Sequence, residues 1–252
     1  MNPTAIEVEP GQSQTDVVIG EIKRLILSGR LGPGDRLPIE KDLAVQLGVS
    51  RGSLREGVRA LVHLGVLETR QGDGTYVTSL DAALLLSPLG FLAELEHGSN
   101  TAHLLTVRRV LEAESASLAA HYIDDAQLDK LTAALHRADA ALAKEQPDFE
   151  AFLDADTDFH NLVAAATRNP ALAALIANLI GRTTRARVIR AMSEQGAVHD
   201  AQSEHYGILG ELRRHDSHRA RIRMEAHVLG VEEFARTHRL GSSSAGSDSA
   251  AQ

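Results

Sequence analysis

The sequence predicts a mostly α-helical protein with two domains, and its length and composition carry that prediction. The chain has 252 residues, which is enough for roughly two domains of ordinary size. Hydrophobic residues make up 43% of it but aromatic residues only 3%, so Ala and Leu supply much of the apolar surface. This composition favours close-packed helices, because strands prefer aromatic and β-branched side chains. Cysteine is absent, which excludes disulfide scaffolds, Cys-ligated zinc fingers and thiol nucleophiles; a metal site would need His and carboxylate ligands.

The net charge of −8 is unevenly distributed along the chain. Residues 13–80 contain 9 Lys/Arg and 8 Asp/Glu, a net of +1, whereas the remainder contains 17 and 26, a net of −9. A DNA-binding module needs only a local basic surface, because phosphate attraction acts over about one Debye length. The acidic total therefore does not exclude DNA binding by the N-terminal part.

The sequence predicts neither a secretory leader nor a membrane-spanning segment. The first residues have no basic segment followed by an apolar one, and no apolar run approaches the roughly 18 residues of a membrane span. We therefore expect a cytoplasmic protein. Residues 241–252 are small and polar, and we expect this segment and residues 1–12 to be disordered.

Residues 13–80 predict three helices followed by a β-hairpin. Ser50 is a good N-cap for the third helix, and Gly65 suits the left-handed position just past its end. The predicted elements are helices over about 15–28, 39–47 and 51–64, then short strands over 66–70 and 75–78 joined by a Gly-containing loop. This order is that of a winged helix-turn-helix.

Residues 101–240 predict a second domain that is helical throughout. The apolar periodicity indicates helices near 102–122, 125–144, 148–167, 170–192, 200–214 and 217–238. Between the two domains, residues 81–100 contain Pro88 and Gly90 and predict a linker with a short helix.

The third helix has a basic ridge on the side opposite its apolar stripe. Arg51, Arg55 and Arg59 recur at i, i+4 and i+8. Guanidinium groups can bind guanine edges in the major groove or neutralise phosphates, and the N-terminus of such a helix usually enters the groove. Ser53 and the hairpin glycine Gly72 would add contacts. An ordinary solvated helix face is the alternative, but the short preceding turn and the following hairpin favour DNA recognition.

Three histidines and one aspartate fall within the apolar stripes of three C-terminal helices. Asp156 and His160 share one stripe at i, i+4, and His205 and His227 lie in the stripes of the last two helices. A buried carboxylate is costly unless it is paired or bound to a metal, so a shared cation is the economical interpretation. The alternative for each histidine is a hydrogen-bonded core residue.

Three N-terminal motifs resemble the DNA-binding domain of the GntR family of bacterial transcription regulators. They are Leu37-Pro38-Ile39-Glu40-Lys41-Asp42-Leu43-Ala44, Gly48-Val49-Ser50-Arg51-Gly52-Ser53-Leu54-Arg55-Glu56 and Gln71-Gly72-Asp73-Gly74-Thr75-Tyr76-Val77. The resemblance implies operator contacts by Lys41, Arg51, Ser53, Arg55 and Gly72. Relatives frequently have Arg at position 41, and because Lys lacks the bidentate fork, we expect its contact to be with phosphate.

The C-terminal part resembles the FCD-type effector domain of the FadR subfamily, an antiparallel helical bundle that binds a divalent metal. The resemblance covers residues 13–240 and implies that Asp156, His160, His205 and His227 are the metal ligands. Because most of these ligands are imidazoles, we expect zinc, with nickel or manganese as alternatives. The segment 108–112 matches an Arg-x-x-Leu-Glu motif, which makes Arg108 a candidate effector-binding residue; an ion pair with Glu112 is the alternative. His121 and Arg187 are ambiguous pocket candidates. Asn169-Pro170 matches a helix break and is expected to be a cap.

These observations predict a homodimeric transcription regulator, most simply a repressor, that binds double-stranded operator DNA. A small hydroxy- or dicarboxylic acid bound at the metal would be the effector. The main alternative is a His/Asp metalloenzyme, since such a ligand set can hold an activated water. Against it, no further inward Glu or His is evident as a general base, and an enzyme would not need the winged domain. The third interpretation is a regulator in which the metal is purely structural.

Overall fold

The computed structural model describes residues 13–82, 84 and 101–238. The chain divides into two compact units at residues 88 and 89, within the predicted linker. The predicted disordered ends lie outside the described residues, as do residues 83 and 85–100 of the segment in which the sequence predicts a short helix. Over the described part of the chain, no helix is both long and apolar enough to cross a membrane.

Over residues 13–80, the N-terminal unit contains three helices and an antiparallel hairpin, in the order that the sequence predicts. The elements are α1 (Gln14–Leu27), α2 (Glu40–Leu47), α3 (Arg51–His63), β1 (Leu67–Arg70) and β2 (Gly74–Val77). Leu67 pairs with Val77 across the hairpin, and both are buried in the unit's core. The winged helix-turn-helix fold is therefore confirmed.

The ends of α2 and α3 follow local rules that position the recognition helix. Gly48 ends α2 at φ 64°, and Ser50 caps α3 by accepting a hydrogen bond from the Ser53 backbone N–H at 3.0 Å. Gly57 of α3 packs so closely on α1 that an added Cβ would lie 2.6 Å from Val18 Cγ1. The missing side chain thus lets α1 support α3 from behind, which leaves the arginine face of α3 free.

The C-terminal unit is helical throughout its described residues. Its helices are α4 (Thr101–Tyr122), α5 (Asp125–Leu142), α6 (Phe149–Ala166), α7 (Pro170–Ser193), α8 (Ala197–Arg213) and α9 (Ser217–Thr237). Its core includes Phe159, Leu131 and Ile208, each at most 1% exposed. Asn169 caps α7 by accepting from the Leu172 N–H at 3.1 Å, as the sequence predicts.

Ion pairs fasten the antiparallel pair α4 and α9. Arg109 on α4 donates to Glu232 and Glu225 of α9, each at 2.8 Å, and Arg221 near the start of α9 donates to Glu114 further along α4. Glu232 is completely buried and also accepts from Thr106 at 2.7 Å. Such a buried carboxylate is tolerated because several donors surround it.

Candidate metal centre and DNA-binding surface

The structure brings all four predicted metal ligands together in the core of the C-terminal unit. Asp156 and His160 extend from α6, His205 from α8 and His227 from α9. All four side chains are buried, and one ligand atom from each lies within 4.8 Å of every other. The i, i+4 spacing on α6 accounts for the first pair, whereas packing of α8 and α9 against α6 supplies the other two.

The imidazole nitrogens converge on a single point. The Nε2 atom of His227 lies 3.2 Å from the Nε2 atoms of both His160 and His205. The Oδ1 atom of Asp156 lies 3.3 Å from His205 Nε2 and 3.9 Å from His160 Nε2. Zn–N bonds of about 2.0–2.1 Å place tetrahedral ligand atoms roughly 3.4 Å from one another, so these separations suit a bound transition metal.

Two carboxylates outside this group fix the orientation of two of the rings. Glu112 Oε2 is in close contact with His160 Nδ1, and Glu204 Oε2 lies 2.8 Å from His227 Nδ1. A neutral imidazole that donates through Nδ1 has only a lone pair at Nε2. The lone pairs of His160 and His227 therefore face each other at 3.2 Å, and a cation between them would relieve this repulsion. The residues present thus fit a metal.

Burial favours the neutral, metal-binding form of the imidazoles. Desolvation lowers the pKa of His160, although the nearby Glu112 partly opposes it. The pKa of His205 lies well below its ordinary value because burial and the neighbouring His227 both disfavour a positive charge there.

Asp156 uses its two oxygens for different partners. Its Oδ2 atom forms an ion pair with Arg187 of α7, while Oδ1 faces the imidazoles. Burial would raise the pKa of Asp156, but Arg187 and the three neighbouring histidines together outweigh burial and hold that pKa below its ordinary value. The charge of Asp156 is therefore balanced without a metal. The case for a cation comes instead from the converging Nε2 atoms.

Glu112 corrects one expectation from the sequence. It is 1% exposed and joins Arg108 to His160, so a further inward carboxylate does contact the cluster. Its pKa is low: burial alone would raise it, but Arg108 and His160 together outweigh burial. Arg108 thus forms the ion pair that the sequence left as its alternative, and its Nη1 also donates to Thr183 at 3.1 Å. The i, i+4 spacing of Arg108 and Glu112 was the available signal.

A cavity that is partly open to solvent adjoins the four candidate metal ligands. Its polar lining comes from Arg108, Asp156, Arg187, Arg190 and His227, and eight apolar side chains of α6 to α9 form the rest. The Nε atom of Arg187 is buried and has no hydrogen-bond acceptor among the residues that the structure describes. Arg187, which the sequence left ambiguous, therefore lines the cavity, whereas His121 is exposed and hydrogen-bonds the Ser117 carbonyl.

The arginine ridge of α3 faces solvent. Arg51, Arg55 and Arg59 are all exposed, and Arg55 Nε donates to Glu40 Oε2 at 2.8 Å. Ser53 is half-buried and its hydroxyl donates to Gln14 of α1 at 3.1 Å. The ridge is thus positioned by contacts with α1 and α2, and its guanidinium groups remain accessible.

Lys41 and Gly72 extend the exposed surface on α2 and on the hairpin. Lys41 is exposed, and Gly72 has φ 75°, a left-handed conformation that favours glycine at the hairpin tip. The hairpin is braced by Tyr76, whose hydroxyl donates to Asp73 at 2.7 Å while Arg70 lies 4.2 Å above its ring.

Comparison with known proteins identifies both units. Residues 14–77 match the model described as bacterial regulatory proteins of the gntR family, and residues 103–230 match the FCD domain. The HTH-type transcriptional regulator LutR of Bacillus subtilis is 32% identical over 213 residues, covering 83% of this chain and 95% of LutR. The transcriptional repressor NanR of Escherichia coli K12 is 28% identical, covering 86% of this chain and 82% of NanR.

A solved structure gives the same assignment. The structure titled Streptococcus agalactiae GntR is 28% identical and superposes with a TM-score of 0.62, over 87% of this chain and 99% of that one. The matching domains and relatives are transcription regulators, not enzymes, which removes the metalloenzyme alternative. The chain therefore belongs to the GntR family of bacterial regulatory proteins, with an FCD domain as its C-terminal unit, and it is a transcriptional regulator.

Proposed function

We propose that this regulator is a metabolite-responsive repressor whose operator affinity is lowered by a small carboxylate bound at a divalent metal in the C-terminal unit. The proposal rests on the observation that the four candidate metal ligands adjoin the cavity. Asp156 and His227 belong to both the metal-ligand group and the cavity lining. A ligand in the cavity would consequently contact the metal as well as the arginines.

The charge balance of the site favours an anionic ligand. Arg108 pairs with Glu112 and Arg187 with Asp156, and burial lowers the pKa of His160 and of His205. A divalent cation held by the four ligands would add two positive charges to a buried region that is otherwise balanced. A carboxylate in the cavity would reduce that excess, and buried charges are costly unless they are compensated.

The metal would be held by the four buried ligands Asp156, His160, His205 and His227. Their three imidazoles and one carboxylate suit zinc, with nickel or manganese as alternatives. The metal would act as a Lewis acid that binds the ligand's carboxylate. The contribution of the chain's own residues is orientation: a guanidinium such as that of Arg108 offers planar, charge-assisted hydrogen bonds that fix a carboxylate.

For operator binding, we propose base or phosphate contacts by Arg51 and Arg55 and a supporting contact by Ser53. Lys41 would neutralise a phosphate, and the backbone at Gly72 would approach the DNA closely because no side chain intervenes. A homodimer would present two such surfaces to a roughly palindromic operator. The similarity to NanR, which is named a repressor, supports repression as the direction of control.

The experiment that tests this function measures operator binding against ligand and metal. Duplexes selected from a random pool by the zinc-loaded protein would be titrated by fluorescence anisotropy, with and without a panel of hydroxy-, mono- and dicarboxylic acids. We expect at least one acid to weaken DNA binding about 5- to 150-fold, the usual range of allosteric coupling. By linkage, DNA must weaken binding of that acid by the same factor.

The alternative of a structural metal gives a different result in the same experiment. Chelation would then lower thermal stability, while none of the acids would change operator affinity in the zinc-loaded protein. Selection that yields no preferred sequence would contradict the DNA-binding part of the proposal instead.

A further inference from the structure

We propose that the effector is a monocarboxylic acid with a short apolar tail. Its carboxylate would lie beside the metal ligands Asp156 and His227, and its tail would lie along the apolar part of the cavity. This inference rests on the proposed function, because it assigns a chemical class to the ligand of the same site. It differs from the expectation from the sequence, which was a small hydroxy- or dicarboxylic acid.

The inner end of the cavity is built for an anionic group. Arg108 and Arg187 both line it, together with Asp156 and His227 of the metal-ligand group. Arg187 is 6% exposed, yet its Nε–H has no acceptor within the described part of the chain. A buried donor without an acceptor costs free energy. A carboxylate oxygen placed in the cavity could accept this hydrogen bond.

From this inner end, the cavity extends in one direction along the helical bundle. Its lining continues from Asp156 back to Phe152 on α6, from Arg187 on to Ala191 on α7, and from His227 on to Val231 on α9. Because each of these steps is four residues, the cavity extends by about one helical turn, roughly 6 Å, beyond Asp156, Arg187 and His227. On α8 the lining residues 197–201 lie one to two turns before His205.

The lining of this extension is almost entirely apolar. It consists of Phe152, Leu153, Val198, Val228, Val231 and three alanines, and Arg190 is the one charged side chain among the described lining residues there. Arg190 already donates to Glu194 at 2.8 Å. A second carboxylate in this part of the cavity would lose its hydration and would have to compete with Glu194 for Arg190, whereas an alkyl tail would gain by leaving water.

Calorimetric titration of the zinc-loaded full chain with straight-chain acids tests this inference. The probes are acetate, propionate, butyrate, pentanoate and hexanoate, with glutarate and adipate as dicarboxylates of matched length. We expect affinity to rise about three- to fourfold per added methylene until the tail fills the cavity. Each dicarboxylate should bind more weakly than the monocarboxylate of equal length.

Variants locate the tail. Ala201→Leu and Ala191→Leu each add bulk to the apolar lining, and we expect either to move the preferred chain to a shorter acid while acetate binds as in the wild type. Ala177→Leu is the matched control, because Ala177 is exposed on α7 and does not line the cavity, and it should leave the chain-length preference unchanged.

The outcomes separate this inference from the proposed function. Tighter binding of the dicarboxylates, or affinity independent of chain length, would overturn the apolar-tail inference and leave a carboxylate-responsive regulator intact. If neither monocarboxylates nor dicarboxylates bind, nor the hydroxy acids of the wider panel, both proposals fail. A preferred chain length that shifts equally in the cavity variants and in Ala177→Leu would also contradict the placement of the tail.

Discussion

The two units use the same ion pair, arginine with glutamate, in opposite environments. In the N-terminal unit the side chains of Arg55 and Glu40 are 60% and 52% exposed. In the C-terminal unit those of Arg108 and Glu112 are 1% and 2% exposed. An exposed pair contributes little free energy and is easily exchanged for another partner, whereas losing one member of a buried pair leaves an uncompensated charge. A guanidinium group that must be released to bind DNA is therefore suited to the surface.

The largest effect that this comparison predicts follows Glu112→Gln. The substitution keeps the shape of the side chain but removes the charge that compensates Arg108, and breaking a buried ion pair costs about 3–5 kcal/mol of unfolding free energy. Because Glu112 also contacts His160 Nδ1, we expect metal affinity to fall roughly 10- to 100-fold. Denaturant unfolding of the chelated protein and Co²⁺ titration, with its visible spectrum, measure the two effects separately.

Glu232→Gln is the matched control for this prediction. Glu232 is equally buried and pairs with Arg109, but it contacts none of the four candidate ligands. It should lower stability and leave the Co²⁺ spectrum and affinity unchanged. Equal loss of metal affinity in both variants would show that Glu112 acts through general stability of the bundle and not by orienting His160.

Most of the fold could be predicted from the sequence, because local rules set the helix boundaries. Ser50 and Gly48 fix the turn before α3, and Asn169 caps α7, each by a contact within three or four residues in the chain. The four inward residues of the candidate metal site also followed from helical periodicity.

The partners of these residues could not be predicted, because they depend on how neighbouring helices are aligned along the bundle. Asp156 meets Arg187, 31 residues away, and His227 meets Glu204, 23 residues away. Periodicity indicates that a side chain faces inward but not which inward side chain lies opposite. For this reason, the pattern of apolar stripes indicates a metal to compensate the buried charge of Asp156, whereas Arg187 already forms an ion pair with it.

Arg55→Ala sharpens the comparison from the exposed side. If Arg55 reads a base edge, the substitution should weaken operator binding by about 1–3 kcal/mol and relax specificity at one operator position, with almost no change in stability. Arg59→Ala is the control on the same ridge: it lies two turns from the N-terminus of α3, so at most a phosphate contact and a uniform loss are expected. Competition binding against single-base operator variants measures both. Unchanged affinity in Arg55→Ala would remove this residue as a reader.

The smallest effect is expected for Glu40→Gln, which removes the charge that pairs with Arg55 on the surface. Exposed pairs of this kind contribute about 0.2–1 kcal/mol, so the unfolding free energy should barely change. Removal of a negative charge close to the DNA-binding ridge should nevertheless raise affinity for all sequences a few-fold at low salt, an effect that disappears as salt screens the phosphates. Glu114→Gln is the matched control, because its pair with Arg221 is similarly exposed, at 46% and 50%, but lies in the C-terminal unit. It should leave DNA affinity unchanged. If Glu40→Gln instead destabilised the fold by more than about 2 kcal/mol, the exposed pair would be structural, and the contrast between the two units would fail.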